Sequence, residues 1–217
     1  MKESVKSVLH GARQTIAVSV VLMLLCGLVF PCLLTGLSAL IFPRQAGGNL
    51  ITVNGQTVGA EYVGQEFTED YYMWSRPSAY HYNVYVEGED GTRYYNDGTE
   101  FPGIGSGSNN YAATNPALTE RVEADIEAFL EKNPDVKRED IPTDLLTASG
   151  SGLDPHISPA SAEVQIPRIA EASGLSEDEI RDITAENTQG KVLGIFGEET
   201  VNVLKVNIEI AQRMGIL

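Results

Sequence analysis

The chain has 217 residues and a formal net charge of −15, from 30 acidic side chains against 15 lysines and arginines. That length is enough for one domain with its own hydrophobic core. Hydrophobic residues make up 42% of the sequence, which argues against disorder throughout. The acidic balance excludes a nucleic-acid-binding protein, because phosphate contacts require a basic face.

The first element in chain order is a long uncharged segment, residues 16–42. About 20 helical residues cross the hydrocarbon core of a bilayer, so this segment is long enough to span it. Lys2, Lys6 and Arg13 precede the segment, and only Arg44 follows it closely. The positive-inside rule therefore predicts a cytoplasmic N-terminal stub at residues 1–13, a transmembrane helix at 14–43 and an acidic extracytoplasmic domain at 44–217.

Two processing signals are alternatives to a retained anchor. A cleaved signal peptide has an apolar region of about 7–15 residues, which is shorter than this one. A lipoprotein signal needs a small residue before its cysteine, whereas Leu25 precedes Cys26 and Pro31 precedes Cys32. The sequence therefore favours an anchor that stays in place, in the inner or plasma membrane.

The span contains residues that affect helix geometry and packing. Pro31 removes a backbone donor and predicts a kink. Cys32 and Gly36 are small residues four positions apart, a spacing that lets a second helix approach closely but that is also ordinary in membrane helices. Cys26 and Cys32 are the only cysteines, so no disulfide framework is predicted.

The remainder is predicted to be one acidic domain of the α+β or α/β class. Residues 43–217 carry 12 basic and 29 acidic side chains, a net charge of −17. The first half indicates strands: Asn54-Gly55 predicts a hairpin turn, and alternation from Tyr80 to Val86 before the turn at residues 89–91 predicts a second hairpin.

The second half indicates helices. Asn115-Pro116 predicts a helix start, and Asn133-Pro134 predicts its end. Ser158-Pro159 predicts another start, and Ser176 with Glu179 forms a capping-box pattern. Two adjoining apolar stripes predict a mostly buried last helix from about Glu198 to Met214.

The sequence contains no phosphate-binding loop, dinucleotide fingerprint, nucleophile elbow or HExxH metal motif. The strongest candidate cluster is residues 147–159, which places Ser151, Asp154 and His156 close together. These residues suggest a hydrolase, but triad members come from separated parts of a chain, so a capped turn or an interface is the favoured interpretation. With three histidines in the chain, no metal site is predicted.

Arg76 follows an aromatic-rich run in the segment Arg76-Pro77-Ser78. It could stack on Trp74 or bind a carboxylate, and in so acidic a domain an internal salt bridge is the favoured role.

Several motifs occur in an order that resembles one known family. They are Phe42-Pro43, Gly48-Asn49-Leu50-Ile51, Gly64-Gln65 with Phe67, Arg76-Pro77-Ser78, Gly107-Ser108-Asn109, Asn115-Pro116, Ser149-Gly150-Ser151-Gly152-Leu153-Asp154, Gln165-Ile166-Pro167-Arg168-Ile169-Ala170, Gly197-Glu198 and Val201-Asn202-Val203. On these motifs, which cover nearly the whole chain, the sequence is similar to KdpC, the C subunit of the high-affinity potassium-transporting Kdp ATPase.

The resemblance implies a non-catalytic assembly and regulatory subunit in a complex with a potassium-translocating A subunit, a P-type ATPase B subunit and a small F subunit. The complex handles ATP and potassium, and no cofactor is held tightly by this chain. The resemblance also implies a role as a catalytic chaperone that raises ATP affinity, which would involve an LSGGQ-like element. This sequence contains no such string, and Gln165 is the residue that the resemblance matches to the glutamine of that element.

Two further sets of residues are interpreted as structural or partner-contact positions. They are Arg76, Pro77, Ser78, Gly107, Ser108 and Asn109, and Ser149, Gly150, Ser151, Gly152, Asp154 and His156. The alternatives are a membrane-anchored extracytoplasmic hydrolase that uses Ser151, Asp154 and His156, and a lone cation-binding surface module. The tyrosine-rich stretch from Tyr80 to Phe101 is longer than the corresponding region in the family, so no role is transferred to it.

Overall fold

The structure is a computed structural model that describes residues 2–217, with side chains from residue 11 onward. It divides into two units, of which the first ends at Asn49 and the second runs from Leu50 to Leu217. Most of the predicted stub at residues 1–13, including Lys2 and Lys6, therefore lies outside the described side chains.

The first unit is almost entirely helical. Helix α1 covers Lys2–Leu24, a π-helical turn covers Leu25–Val29, α2 covers Phe30–Ile41 and a short α3 covers Pro43–Ala46. The part from Gly11 to Ile41 has a mean hydropathy of 2.7 and is long and apolar enough to cross a membrane, by length and composition.

The π-helical turn lies directly before Pro31. The Phe30 N–H donates to the Leu25 carbonyl five residues back, instead of four. A proline lacks an N–H, and its ring crowds the carbonyl four residues earlier, here that of Gly27. The wider turn is a local departure from α-helical geometry directly before the proline, and the kink itself stays a prediction.

The second unit begins with a hairpin of β1, Leu50–Val53, and β2, Gln56–Ala60. Asn54 and Gly55 have φ of 51° and 83°, the left-handed conformation that the favoured two-residue hairpin turn requires. This confirms the hairpin that the Asn-Gly pair predicts.

The strand predicted from Tyr80 to Val86 is wrong for most of its length. Only β3, Val86–Glu87, pairs with β4, Arg93–Tyr94. His81, Tyr82 and Asn83 instead have φ of 45°, 54° and 58°. Side-chain hydrogen bonds, described below, hold this turn and override the alternating pattern.

Helix α4, Pro116–Lys132, begins where the sequence predicts it. The Asn115 side chain accepts a hydrogen bond from the Ala117 N–H at 3.0 Å, and Asn133 closes the other end. Two 3-10 turns, Arg138–Asp140 and Thr143–Leu145, then connect α4 to the rest of the domain.

The C-terminal half combines a small sheet with four helices. Its elements are β5 His156–Ile157, α5 Pro159–Glu163, α6 Ile166–Ser173, α7 Glu177–Glu186, β6 Thr188–Gln189, β7 Thr200–Asn202 and α8 Val203–Arg213. The strands form an antiparallel sheet in the order β5-β7-β6. The predicted capping box of Ser176 and Glu179 is confirmed at the start of α7.

The last helix starts later than the sequence pattern indicates. Residues 200–202 form the central strand of the sheet, and Asn202 then caps α8 by accepting from the Lys205 N–H at 3.1 Å. The start predicted near Glu198 is therefore wrong, because an apolar strand followed by an apolar helix gives one continuous apolar pattern.

Two hydrophobic clusters form the core. The larger joins α5–α8 and the sheet, and comprises Met73, Ile157, Ala162, Ile166, Ile169, Ile180, Ile183, Val201, Val203, Val206 and Ile210. The smaller contains Ile126, Phe129, Ile141 and Leu145, with Trp74 packed against it. The predicted α+β class is confirmed, and the segment around Met73 and Trp74 touches both clusters.

Candidate functional site

A cleft of about 900 Å³ opens beside the segment that carries Arg76. Its walls come from residues 66–68, 74–79, 81, 108–111, 145 and 147–148 and from one face of α4. We call it the Arg76 cleft. The structure therefore brings two separate segments of the sequence to one concave surface: Arg76, Pro77 and Ser78 from the first, and Ser108 and Asn109 from the second.

Arg76 joins its own segment to the loop at residues 147–154. Its Nε donates to the Thr147 carbonyl at 3.2 Å, and its Nη1 pairs with Asp154 Oδ2 at 3.1 Å. Both side chains are about one quarter exposed. The internal salt bridge favoured for Arg76 is therefore present.

Ser78 holds the turn at residues 81–83, where φ is positive, by hydrogen bonds of its side chain. Its Oγ donates to the Gly152 carbonyl at 2.6 Å and accepts from the N–H groups of Tyr80 and Tyr82, each at 3.2 Å. The Tyr82 hydroxyl, buried beneath the cleft, lies 3.0 Å from the Arg76 carbonyl, to which it donates. Burial and the nearby carboxylate of Asp154 raise the pKa of Tyr82 to about 12.

The glycine-rich loops meet by backbone contact. The Gly107 N–H donates to the Ser151 carbonyl at 2.7 Å, and the Ser149 Oγ accepts from the Gly152 N–H at 2.9 Å. Gly152 has a φ of 66°, and a Cβ placed there would lie 2.5 Å from the Gly107 carbonyl oxygen. Gly150, in contrast, is exposed with open space around it.

Asp154 and His156 form a capped turn. Asp154 Oδ1 accepts from the His156 N–H at 3.0 Å, and the His156 Nδ1 lies 3.6 Å from the same oxygen. Burial alone would raise the pKa of Asp154, but hydrogen bonds from His156 and the charge of Arg76 hold it below its usual value.

The hydroxyl of Ser151 accepts from the Leu153 N–H at 3.1 Å. Among the described side chains, it makes no hydrogen bond to His156. A nucleophile needs a base within hydrogen-bond reach, so the arrangement in this structure is that of a turn and not of a hydrolytic triad.

Beneath the cleft, two side-chain amides bind the backbone of the segment at Met73 and Trp74. Asn207 Oδ1 accepts from the Met73 N–H at 2.7 Å, and its Nδ2 donates to the Met73 carbonyl at 2.8 Å. Gln165 does the same at Trp74, with distances of 2.8 Å and 3.3 Å. Both amides are almost fully buried.

Arg168 completes this buried network. It donates to Gln165 Oε1 at 2.8 Å and to the Tyr72 carbonyl at 3.0 Å, and its guanidinium lies 3.9 Å from the centre of the Trp74 ring. Burial lowers the pKa of Arg168 to about 10. The stacking partner of Trp74 is thus Arg168 and not Arg76.

Arg168 and Asn207 are not among the site residues that the sequence predicts. A signal for Arg168 existed, because it lies between Ile166 and Ile169 on the apolar face of α6, where a charged side chain needs a partner. Asn207 likewise lies within an apolar stripe of α8.

The arginine and lysine side chains that line the cleft each have a carboxylate partner. Lys132 pairs with Asp70 at 3.0 Å, and His81 Nδ1 lies 2.8 Å from Glu66 Oε1. Arg121 pairs with Asp125 and also donates to the Leu146 carbonyl at 2.9 Å. Burial nevertheless raises the pKa of Asp125. The arginine and lysine charges are thus paired, and the cleft is also lined by the apolar side chains of Trp74, Phe129 and Leu145.

Other predicted positions lie away from the cleft. Within the described residues, no group of three or more His, Cys, Asp or Glu side chains could hold a metal ion. In the first unit, Cys26 and Cys32 are exposed free thiols, and a Cβ added at Gly36 would meet open space.

The fold and the site define a class of protein: an α+β domain that follows one long apolar helix, with a concave surface whose polar side chains hold the domain's own loops together. The chain belongs to the KdpC family. The family model, described as K+-transporting ATPase, c chain, matches residues 12–212.

Relatives support this assignment over nearly the full length. The chain is 54% identical over 206 residues to the potassium-transporting ATPase KdpC subunit of Clostridium kluyveri, covering 95% of each chain. It is 53% identical to the protein of that name from Clostridioides difficile, over 94% of this chain and 98% of the relative. The similarly named protein of Caldanaerobacter subterraneus is 44% identical, over 93% and 95%.

Proposed function

We propose that the chain is the C subunit of a potassium-transporting P-type ATPase complex, in which it performs no chemistry of its own. The observation that carries the proposal is the family match over residues 12–212 together with relatives that are named potassium-transporting ATPase KdpC subunits. Its partners are the potassium-translocating, ATP-hydrolysing and small subunits of that complex, and it needs no tightly bound cofactor.

The proposed topology has one pass through the cell membrane. The apolar helix anchors the chain at residues 14–43, the N-terminus lies in the cytoplasm and the acidic domain at 44–217 lies outside. The distribution of basic residues at the two ends of the span supports this orientation. The small residues Cys32 and Gly36 beside the π-helical turn are proposed to face a helix of a partner subunit.

Orientation can be tested with thiol chemistry, because both native cysteines lie in the span. In the variant Glu89→Cys, a membrane-impermeant maleimide added to intact cells should label the exposed loop position without permeabilisation. The parent chain is the control. Labelling only after the membrane is opened would place the domain inside and contradict the topology.

We propose that the Arg76 cleft receives a polypeptide segment of a partner subunit. A triphosphate needs unpaired positive groups, whereas Arg76, Arg121 and Lys132 are each paired with a carboxylate. The cleft is also large and has an aromatic floor, which suits side chains of a protein.

Any effect on ATP affinity is then indirect, through packing between subunits. Gln165 supports this proposal, because it is fully buried and its amide already makes hydrogen bonds to Trp74, Ser161 and Arg168. We propose that Gln165 positions Trp74 in the floor of the cleft and that the catalytic-chaperone effect reaches the ATPase subunit through neighbouring subunits.

The experiment compares the complete complex with one that lacks this chain. Loss of the chain should abolish potassium-stimulated ATP hydrolysis, and supplying it again should restore that activity. The purified chain alone should hydrolyse nothing, and Ser151→Ala should leave the activity of the complex unchanged. Full potassium transport by a complex without this chain would overturn the proposal.

A further inference from the structure

The hairpin between β6 and β7 ends in four apolar side chains that point into solvent. We call Val192, Leu193, Ile195 and Phe196 the apolar tip. Their exposed fractions are 59%, 84%, 76% and 63%. The segment from Asn187 to Gly197 contains no acidic residue, although the domain around it is strongly acidic.

The backbone holds the tip in one shape. The Val192 N–H donates to the Phe196 carbonyl at 2.8 Å, and the Ile195 N–H donates to the Val192 carbonyl at 3.2 Å. The two residues at the turn, Leu193 and Gly194, have φ of 55° and 73°. The tip is therefore an ordered hairpin, and little conformational freedom would be lost if it bound a partner.

Leu193 is unfavourable at its position in the turn. A β-turn whose two central residues both have positive φ favours asparagine, aspartate or glycine at the first of them. Leucine is strained there, and its 84% exposure shows that packing within the described chain does not compensate. Strain combined with exposure points to a role in binding.

The surroundings favour a protein partner over a lipid surface. Segments that lie in the bilayer interface combine tryptophan, phenylalanine or leucine with a face rich in lysine and arginine. The apolar tip has Leu193 and Phe196 but no basic face: its one lysine, Lys191, lies 3.9 Å from Glu198, and the exposed Glu199 adds negative charge. An uncharged centre with a charged rim is the arrangement of a protein interface.

We propose that the apolar tip inserts, as a preformed anchor, into an uncharged apolar pocket on another subunit of the potassium-transporting ATPase complex. The inference rests on the proposed function, since it requires that such a complex exists. The apolar tip, between β6 and β7, would thus make a second contact with the complex, separate from the one proposed for the Arg76 cleft.

The test is Leu193→Asn in the full chain, co-expressed with the other subunits and purified from detergent-solubilised membranes by a tag on this chain. Asparagine suits the turn, so the variant should unfold at the same or a higher urea concentration than the parent, as read from the fluorescence of Trp74. Retention of the other subunits should fall by about tenfold or more, as expected for the loss of an interface anchor. Phe196→Ser should have the same effect.

The control is Ile216→Asn, which changes a half-exposed apolar residue outside the hairpin and should leave retention unchanged. If the parent chain itself retains no subunits, the proposed function fails, and this inference with it. Parental retention in both tip variants would overturn the inference alone. A loss seen only in phosphatidylcholine nanodiscs, with full retention in detergent, would also overturn it, because the occupant would then be lipid.

Discussion

Gln165 and Asn207 act on the backbone of residues 73 and 74 as a neighbouring strand would. Each supplies one donor and one acceptor to the backbone of one residue. Arg168 donates both to the side-chain carbonyl oxygen of Gln165 and to the backbone carbonyl of Tyr72. Buried backbone groups need such partners, because leaving them unpaired costs the full desolvation of each group. These side chains therefore determine where the aromatic floor of the Arg76 cleft lies.

Replacing Gln165 with leucine should destabilise the domain. Leucine fills a similar volume but leaves the N–H and carbonyl of Trp74 unpaired, so the free energy of unfolding should fall by about 2–4 kcal/mol. The measurement is urea unfolding of the full chain in detergent, followed by the fluorescence of Trp74, the only tryptophan. Gln189→Leu, at an exposed position, is the matched control.

The same variant separates a structural role from a nucleotide-binding role for Gln165. If Gln165 contacted ATP, Gln165→Leu would raise the KM of the complex for ATP while leaving unfolding unchanged. That result would contradict the role proposed here.

Arg76 should also be sensitive to a conservative change. Lysine keeps the charge but cannot reach the Thr147 carbonyl and the Asp154 carboxylate together, as the guanidinium does. Arg76→Lys should lower the free energy of unfolding by about 1–2 kcal/mol. Arg138 pairs with the exposed carboxylate of Glu123, so Arg138→Lys should have no measurable effect on the free energy of unfolding. Equal effects of the two changes would show that the internal bonds of Arg76 add nothing.

Among the elements, the meeting of the two glycine-rich loops depends on Gly152. Its positive φ and the nearby Gly107 carbonyl leave no room for a side chain, whereas Gly150 two residues earlier has open space. Gly152→Ala should lower the free energy of unfolding by about 2–4 kcal/mol, and Gly150→Ala should change it by less than about 0.5 kcal/mol. Thermal unfolding of the full chain in detergent measures both. Similar values for the pair would contradict this packing.

Elements with local signals were predictable from the sequence. The Asn54-Gly55 turn, the Asn115 cap and the Ser176–Glu179 capping box depend on neighbours within a few residues, and each is present. The predictions were wrong where contacts between residues distant in sequence determine the local structure. The turn at 81–83 is held by Ser78, itself fixed by Gly152, and β7 exists because it pairs with β5 and β6.

At the scale of the whole molecule, acid should destabilise the domain. Burial alone would raise the pKa of Asp144, but hydrogen bonds from Ser161 and Ser158 hold it below its usual value, and the pKa of Asp154 is also lowered. A carboxyl whose pKa is lowered by folding stabilises the folded chain above its unfolded pKa of about 3.9. That contribution is lost as the pH falls through the lower folded value.

We therefore expect the free energy of unfolding of the full chain to fall as the pH drops from about 5 to about 2. In Asp144→Asn, stability at pH 7 should be lower and its dependence on pH in this range shallower. Urea titrations at several pH values, read from Trp74, test this. A rise in stability on acidification would show that relief of repulsion among surface carboxylates is the larger effect.

The site was predictable in part. The sequence singled out residues near 76–78, 107–109 and 149–154, and the structure joins them through hydrogen bonds such as that from Gly107 to Ser151. It did not indicate the cleft itself. Arg168 and Asn207 gave a local signal only as polar side chains on apolar helix faces. Their partners lie about 90 to 130 positions away, and no local pattern encodes which residues those are.

The bond between Met73 and Asn207, 134 positions apart, also bears on how the chain folds during synthesis. A ribosome releases the segment at Met73 long before α8, the helix that contains Asn207, so a nascent domain has no partner for this backbone until almost its last residues emerge. Contacts so distant in sequence also slow folding, because a long loop must close before they form. A chain that stops before α8 should thus be a substrate for proteases and not a smaller folded domain.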